Sequence, residues 1–170
     1  KLKFAREKAP SIKTDIGKLK HILGDLPFVL TPSQKKSLWE IIQDLEKPHP
    51  MNRLLQGDVG SGKTAVAALA ALIASQNGLQ SVFMAPTEIL ARQHFETLKN
   101  LFRRIKTSDQ PATALLTSNE AKILYETDVE ADIKKMALLN KVKEGEVKIT
   151  VGTHALIQKN VGFKNLGFAK

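Results

Sequence analysis

The residues best suited to chemistry are Gly57-Asp58-Val59-Gly60-Ser61-Gly62-Lys63-Thr64, which match G-x-x-x-x-G-K-[ST] at every specified position. The glycines let backbone N–H groups turn inward around an anion, and a helix that starts at the end of the loop adds the positive end of its dipole. Lys63 is spaced to reach the β- and γ-phosphates of a nucleotide. The Thr64 hydroxyl is placed to ligate Mg²⁺, whose other ligands are water, phosphate and carboxylate oxygens. All eight residues are therefore expected to bind nucleotide, with Lys63 and Thr64 as the catalytic pair. Kinases, transporters, GTPases and motor ATPases share such a loop, so it does not by itself select a reaction.

Hydrolysis also requires an acidic residue at the end of a neighbouring strand. The apolar run at 81–85 leads into Pro86-Thr87-Glu88 and the run at 147–151 into Gly152-Thr153-His154, so neither supplies one. The sequence is expected to stop short of the strand that carries this acid, the Walker B strand.

The elements that must position the loop are legible from periodicity. A short strand is expected at 52–56, before the loop, and a helix after it, where 65–74 is an apolar run of good helix formers closed by Asn77-Gly78. Upstream, Ile12, Ile16, Leu19, Ile22, Leu23 and Leu26 recur at helical spacing. Pro27 ends that helix, and Thr31-Pro32-Ser33-Gln34 reads as a capped start for the next, which runs to about residue 47. Downstream the pattern predicts a strand at 81–85, a helix over 87–104, a strand at 113–116, a helix over 129–143 closed by Gly145, and a strand at 147–151. This alternation predicts an α/β fold with a parallel sheet and helices on both faces. Residues 117–132 mix acidic side chains with Ile123-Leu124-Tyr125 and fit none of these patterns.

Composition narrows the partners. The 170 residues hold 26 Lys and Arg against 17 Asp and Glu, a net charge of +9, which favours a polyanion. Seven of the basic residues lie within the first twenty positions, beside Glu7 and Asp15 only. With no cysteine there is no disulfide, thiolate metal site or cysteine nucleophile. His21, His49, His94 and His154 show no metal-ligand spacing. No apolar run reaches the roughly 20 residues of a membrane span. One Trp and one Tyr poorly supply a single-strand stacking platform, so duplex backbone contacts suit the composition better.

The blocks from Met51 through Gln56 to Thr64, from Met84-Ala85-Pro86-Thr87-Glu88-Ile89-Leu90-Ala91, and from Val151-Gly152-Thr153-His154-Ala155-Leu156-Ile157 resemble, in that order, superfamily 2 DNA helicases of the RecG type. The resemblance implies a RecA-like ATP-binding lobe, with ATP and Mg²⁺ as cofactors and duplex or branched DNA as partner. It implies that Phe28 and Gln34 sense adenine, Gln34 being also the third residue of a capping box. Pro86, Thr87, Arg92, Gln93, Gly152, Thr153 and His154 are implied to face the nucleic-acid backbone, although Thr153 equally suits a helix N-cap. Residues 1–26 correspond to a basic helical linker from a wedge domain, and 27–170 to the first motor lobe. A second lobe would add an arginine finger, so this segment alone is expected to bind nucleotide weakly and hydrolyse it negligibly. The compartment implied is the bacterial cytosol. The family's Leu-Thr-Gly-Ser turn reads Leu116-Thr117-Ser118-Asn119 here, without the glycine. Alternatives left open are a lobe like that of the transcription-repair coupling translocase, a P-loop small-molecule kinase and a non-catalytic nucleic-acid-binding module.

Overall fold

The computed structural model describes residues 8–58, 60–105, 110–125 and 129–170. Among the described residues five α-helices, α1 (Ile16–Gly24), α2 (Pro32–Leu45), α3 (Lys63–Gln76), α4 (Glu88–Phe102) and α5 (Lys135–Glu144), surround six strands. The strands are β1 (Gln80–Met84), β2 (Thr113–Leu116), β3 (Ala121–Tyr125), β4 (Val129–Asp132), β5 (Ile149–Gly152) and β6 (Leu166–Ala169), arranged in one sheet of order β4-β3-β2-β5-β1-β6. β2, β5, β1 and β6 run parallel, while β3 and β4 form an antiparallel edge.

The sheet is buried on both faces, as parallel strands require. Phe83, Leu115, Ile149, Val151 and Phe168 share a core with α1 to α4. On the other face Val82, Ala114, Leu116, Ile123 and Val147 meet Leu138, Leu139 and Val142 of α5. Because α3 is sandwiched between the sheet and its neighbouring helices, every residue from Val66 to Ala74 is buried, which accounts for its lack of a polar stripe.

Four sequence expectations are corrected. The sheet is mixed rather than parallel, because only Thr117–Glu120 separates β2 from β3 and a parallel crossover needs a dozen residues or more. The helix expected over 129–143 begins at Lys135, and Val129–Asp132 is instead a strand paired to Ala121–Tyr125 with Val129 opposite Tyr125. Residues 52–56 form no strand. Arg53 is drawn to α2 by ion pairs of 2.6 Å with both Glu40 and Asp44, and a cleft lined by Pro50, Met51 and β6 lies alongside. Finally, the C-terminal segment read without a strand contains β6, which pairs with β1 through a register irregularity at Gln80/Ser81.

Residues 8–26 pack onto the lobe. Ile12, Leu19 and Ile22 are buried in the same core as α2 and α3, the Ile12 amide donates to the Leu45 carbonyl at 2.8 Å, and Asn77 Nδ2 donates to the Lys13 carbonyl at 2.9 Å. Lys1, Lys3, Arg6 and Glu7 of the basic arm lie outside the described residues. So do Val59 of the loop and Glu126 and Asp128 of the acidic segment.

One buried side chain joins three parts of this frame. Gln80, 1% exposed at the start of β1, donates through Nε2 to the carbonyls of Val142 and Val147, both at 2.8 Å. Its Oε1 accepts from the amides of Lys164 and Asn165. A buried amide is stable only when its donors and acceptors are satisfied in this way.

Candidate functional site

The glycine loop leads directly into α3. Gly60 and Gly62 adopt φ of +82° and +80°, a region costly for other residues, and Gly62 is the N-cap of α3. Gly57 is needed for closeness, since a Cβ there would lie 2.8 Å from Ser61 Oγ. The turn is closed by the Ser61 amide donating to the Asp58 carbonyl at 3.1 Å. Lys63 and Thr64 thus occupy the first turn of α3, where unpaired amides and the helix dipole favour an anion. Lys63 Nζ folds over the loop, donating to the carbonyls of Gly57 and Asp58 at 2.6 Å each and approaching Ser61 Oγ at 3.4 Å. Lys170 Nζ lies 3.3 Å from Thr64 Oγ1, so the carboxyl end of β6 adjoins the hydroxyl expected to hold Mg²⁺.

Gln34 joins this loop. Thr31 accepts from the Gln34 amide at 3.2 Å while Gln34 Oε1 accepts from the Thr31 amide at 2.8 Å, a complete capping box. The other end of the same side chain, Nε2, donates to the Ser61 carbonyl at 2.8 Å. Ser33, Gln34, Ser37, Gln56, Gly57, Ser61 and Lys63 line one cavity. Phe28 is half-exposed in a separate hollow with Pro27, Ala65, Asn100, Leu101 and Arg104, against the start of α3 and the end of α4.

The residues implied to face nucleic acid emerge from neighbouring strands at the carboxyl edge of the sheet, the edge where ligands bind in open α/β sheets. Met84 and Leu116 are both register partners of Gly152, so 86–93, 117–120 and 152–154 leave the sheet side by side. Pro86 and Thr87 are exposed, and the Thr87 hydroxyl caps α4 by accepting from the Leu90 amide at 3.3 Å. Gln93 is exposed one turn on. Arg92 is also exposed, and its Nε contacts Glu120 Oε2 at 2.8 Å. Gly152 has a packing reason to be glycine, since a Cβ there would lie 2.1 Å from the Leu116 carbonyl oxygen. Thr153 occupies the N-cap of the 3₁₀ turn His154–Ile157 but makes no side-chain capping bond, and its buried hydroxyl has no partner. His154 is exposed.

Periodicity did not signal the charge pairs that tie the β3–β4 edge to α4. Glu88 accepts from the Ser118 amide at 3.1 Å and from Asn119 Nδ2 at 3.0 Å, and the Asn119 bond foremost holds its carboxyl below the ordinary range. Glu130 pairs with Lys99 and, at 3.2 Å, with Lys122; its carboxyl too is lowered, chiefly by the Lys99 bond. The only local signal is that Glu88, Arg92 and Lys99 share one face of α4. His94 on the same helix is shifted down, first by burial and then by the charge of Lys170. Among the described residues no group of three His, Asp or Glu side chains is placed to hold a metal ion.

Fold and site together define an α/β P-loop nucleotide-binding lobe of the RecA-like kind, with a mixed, mostly parallel six-stranded sheet. The DEAD/DEAH box helicase family model matches residues 31–169, and the chain belongs to that family. It is 42% identical over 168 residues to the ATP-dependent DNA helicase RecG of Aquifex aeolicus, covering 99% of this chain and 19% of the relative. It is 45% identical over 166 residues to the Bacillus subtilis RecG, covering 96% and 22%. A solved structure of RecG bound to a three-way DNA junction superposes with a TM-score of 0.81 at 36% identity, over 98% of this chain and 21% of that one. The chain thus spans about a fifth of the length of these relatives.

Proposed function

We propose that this chain is the ATP-binding motor lobe of an ATP-dependent DNA helicase that remodels branched DNA in recombination and repair. The observation that carries the reading is the loop itself, two left-handed glycines and a lysine at the head of α3, at the same sheet edge as the 86–93 and 152–154 segments. The RecG relatives and the junction-bound RecG structure support the DNA partner and the reaction class.

The residues present fit a Mg²⁺–ATP complex. Backbone amides of the loop and of the first turn of α3 would surround its phosphates, and Lys63, which now donates to two loop carbonyls, would turn to the phosphate oxygens. The Thr64 hydroxyl would be the protein ligand for Mg²⁺, which would supply charge neutralisation at the γ-phosphate when bound. Gln34 holds the Ser61 carbonyl and so fixes one wall of the cradle; Gln34 is our candidate for the adenine contact, with Phe28, in its own hollow against α3 and α4, as the second. Pro86, Thr87, Arg92, Gln93, Gly152, Thr153 and His154 form or support the DNA-facing edge. A second motor lobe with its arginine finger and a wedge domain complete the machine, which works in the bacterial cytosol. No helix among the described residues is long and apolar enough to cross a membrane.

Titration of a fluorescent ATP analogue with Mg²⁺, on this chain and on Lys63→Ala, with and without a three-way junction, tests the reading. We expect Lys63→Ala to weaken binding at least tenfold, about 1.4 kcal/mol, and DNA to shift the wild-type affinity. Lys63-dependent binding that ignores DNA would instead support a metabolite kinase, and equal affinity in both proteins would refute the loop assignment.

A further inference from the structure

We propose that Glu120 is an internal competitor for a DNA phosphate at Arg92, so that this carboxylate sets the affinity and salt dependence of the DNA-facing edge. The inference rests on the nucleic-acid reading above and deepens it. Arg92 stands one turn beyond Thr87 on α4, with its side chain 48% exposed, beside the exposed Gln93 and Pro86. Its guanidinium points across to the neighbouring strand edge and meets Glu120 Oε2 at 2.8 Å.

Glu120 is built into that position. The buried Thr117 accepts through Oγ1 from the amides of Asn119 and Glu120, at 3.3 and 3.0 Å, and the Thr117 amide donates to the Glu120 carbonyl at 2.9 Å. Glu88, one helical turn before Arg92, clamps the same turn through Ser118 and Asn119. Two residues of α4 four positions apart therefore grip the turn, one by its amides and one by its acid. Two nearby lysines are more deeply committed. Lys99 is 16% exposed between Glu130 and Glu96, and Lys122 shares Glu130, so Arg92 is the more accessible charge.

The chemistry of an exchange is balanced. A phosphodiester oxygen and a carboxylate oxygen both accept from a guanidinium, so DNA binding replaces one charge-assisted pair by another. Exposed ion pairs contribute little, so the pair yields to DNA while still opposing it. While paired with Glu120, Arg92 presents little net charge to a phosphate, so it contributes less to the salt dependence of binding than an unpaired arginine would. Removing the acid should tighten binding and also steepen its dependence on salt, whereas loss of an ordinary DNA contact does the reverse.

The test is a double-mutant cycle, Glu120→Gln, Arg92→Gln and both, binding a fluorescein-labelled three-way junction across a salt series. Glu120→Gln should bind about two- to fivefold more tightly, with a steeper slope of log affinity against log salt, by no more than about 0.9. In the Arg92→Gln background the same change should have little effect, because Glu120 acts through Arg92. Thermal melts confirm that each variant folds, as expected when the Glu120 backbone rather than its side chain closes the turn. Arg92-dependent binding with no gain in Glu120→Gln overturns the competition alone, as does an equal gain with Arg92 absent. Binding that does not need Arg92, or no junction binding by the wild-type chain, overturns both the competition and the DNA role of Arg92.

Discussion

Gln34 uses its two amide atoms for different tasks, and the tasks can be separated. Oε1 accepts from the Thr31 amide at 2.8 Å and completes the cap of α2, while Nε2 donates to the Ser61 carbonyl of the phosphate loop at 2.8 Å. Gln34→Ala removes both bonds. At these exposed sites each contributes about 0.5–1 kcal/mol, so the loss is about 1–2 kcal/mol, or roughly 2–8 °C in melting temperature at this chain length. Gln34→Glu keeps the acceptor, adds a negative charge to the first turn of α2 where the dipole favours it, and should melt within about 2 °C of wild type. It fails at the loop, because a second carboxylate oxygen faces the Ser61 carbonyl. The added charge also opposes the phosphates of a nucleotide. At a separation of about 8 Å and an effective dielectric of 20–40 this repulsion is about 1–2 kcal/mol, roughly a tenfold loss of affinity. Titrating ATP and GTP analogues with Mg²⁺ alongside melting curves resolves the two effects. Gln34→Glu binding with wild-type affinity would refute the account of the loop. A loss confined to adenine nucleotides would place the work of Gln34 on the base instead.

Gln80→Leu removes a buried amide that makes four hydrogen bonds, so we expect a loss of about 2–4 kcal/mol, seen as a fall of roughly 10 °C in melting temperature; a fall under about 2 °C refutes its role as a junction. Gly152→Ala places a methyl group 2.1 Å from the Leu116 carbonyl and should destabilise by about 2–3 kcal/mol, measured by urea denaturation, with an unchanged midpoint excluding the close approach of β5 to β2. Glu130 has its carboxyl lowered from 4.5 by Lys99, so its contribution is present above pH 4.5 and is lost as pH falls through the lowered value. The gap in stability between wild type and Glu130→Gln should therefore be widest near neutrality and narrow as pH falls below 4.5 and through the lowered value; a gap that is constant with pH excludes the ion pair as its source.

The elements that the sequence displays plainly are those whose partners are apolar or whose ends are self-contained. β2 was expected at 113–116 and occupies Thr113–Leu116. The ends of α2, α3 and α4 shift by only one or two residues from expectation, because Thr31, Gly62 and Thr87 cap their starts locally. The loop was legible for the same reason, since the left-handed turns at Gly60 and Gly62 and the helix that follows are local properties. What periodicity did not convey is the second function of Gln34. A capping box explains its spacing from Thr31 completely, and only the folded chain brings Ser61, 27 residues away, to its other end. Thr153 was read as an N-cap or a phosphate donor, and neither reading anticipates a hydroxyl that is buried and unpaired.

The edge formed by β3 and β4 shows why the remainder was hidden. As a string, Val129-Glu130-Ala131-Asp132 leads into a helical pattern and carries too much charge to read as a strand. Its place is decided by partners far off in sequence. Tyr125 pairs with Val129, Ile123 enters the core against α5, and Glu130 reaches Lys99, 31 positions away on α4. An acid directed at a lysine on a neighbouring element stabilises a strand that propensity alone would not, and the same arrangement brings Glu120 to Arg92. Glu120 and Glu130 of the acidic segment are therefore counter-charges of α4, the helix whose Arg92 we propose to face DNA. Its two principal acids differ in depth: Glu130, held by two lysines of low exposure, fixes the hairpin, whereas Glu120 opposes a half-exposed arginine and stands where a phosphate can replace it. A contact that anchors and a contact that yields can thus sit along one edge of the sheet, distinguished by how much water reaches the cation.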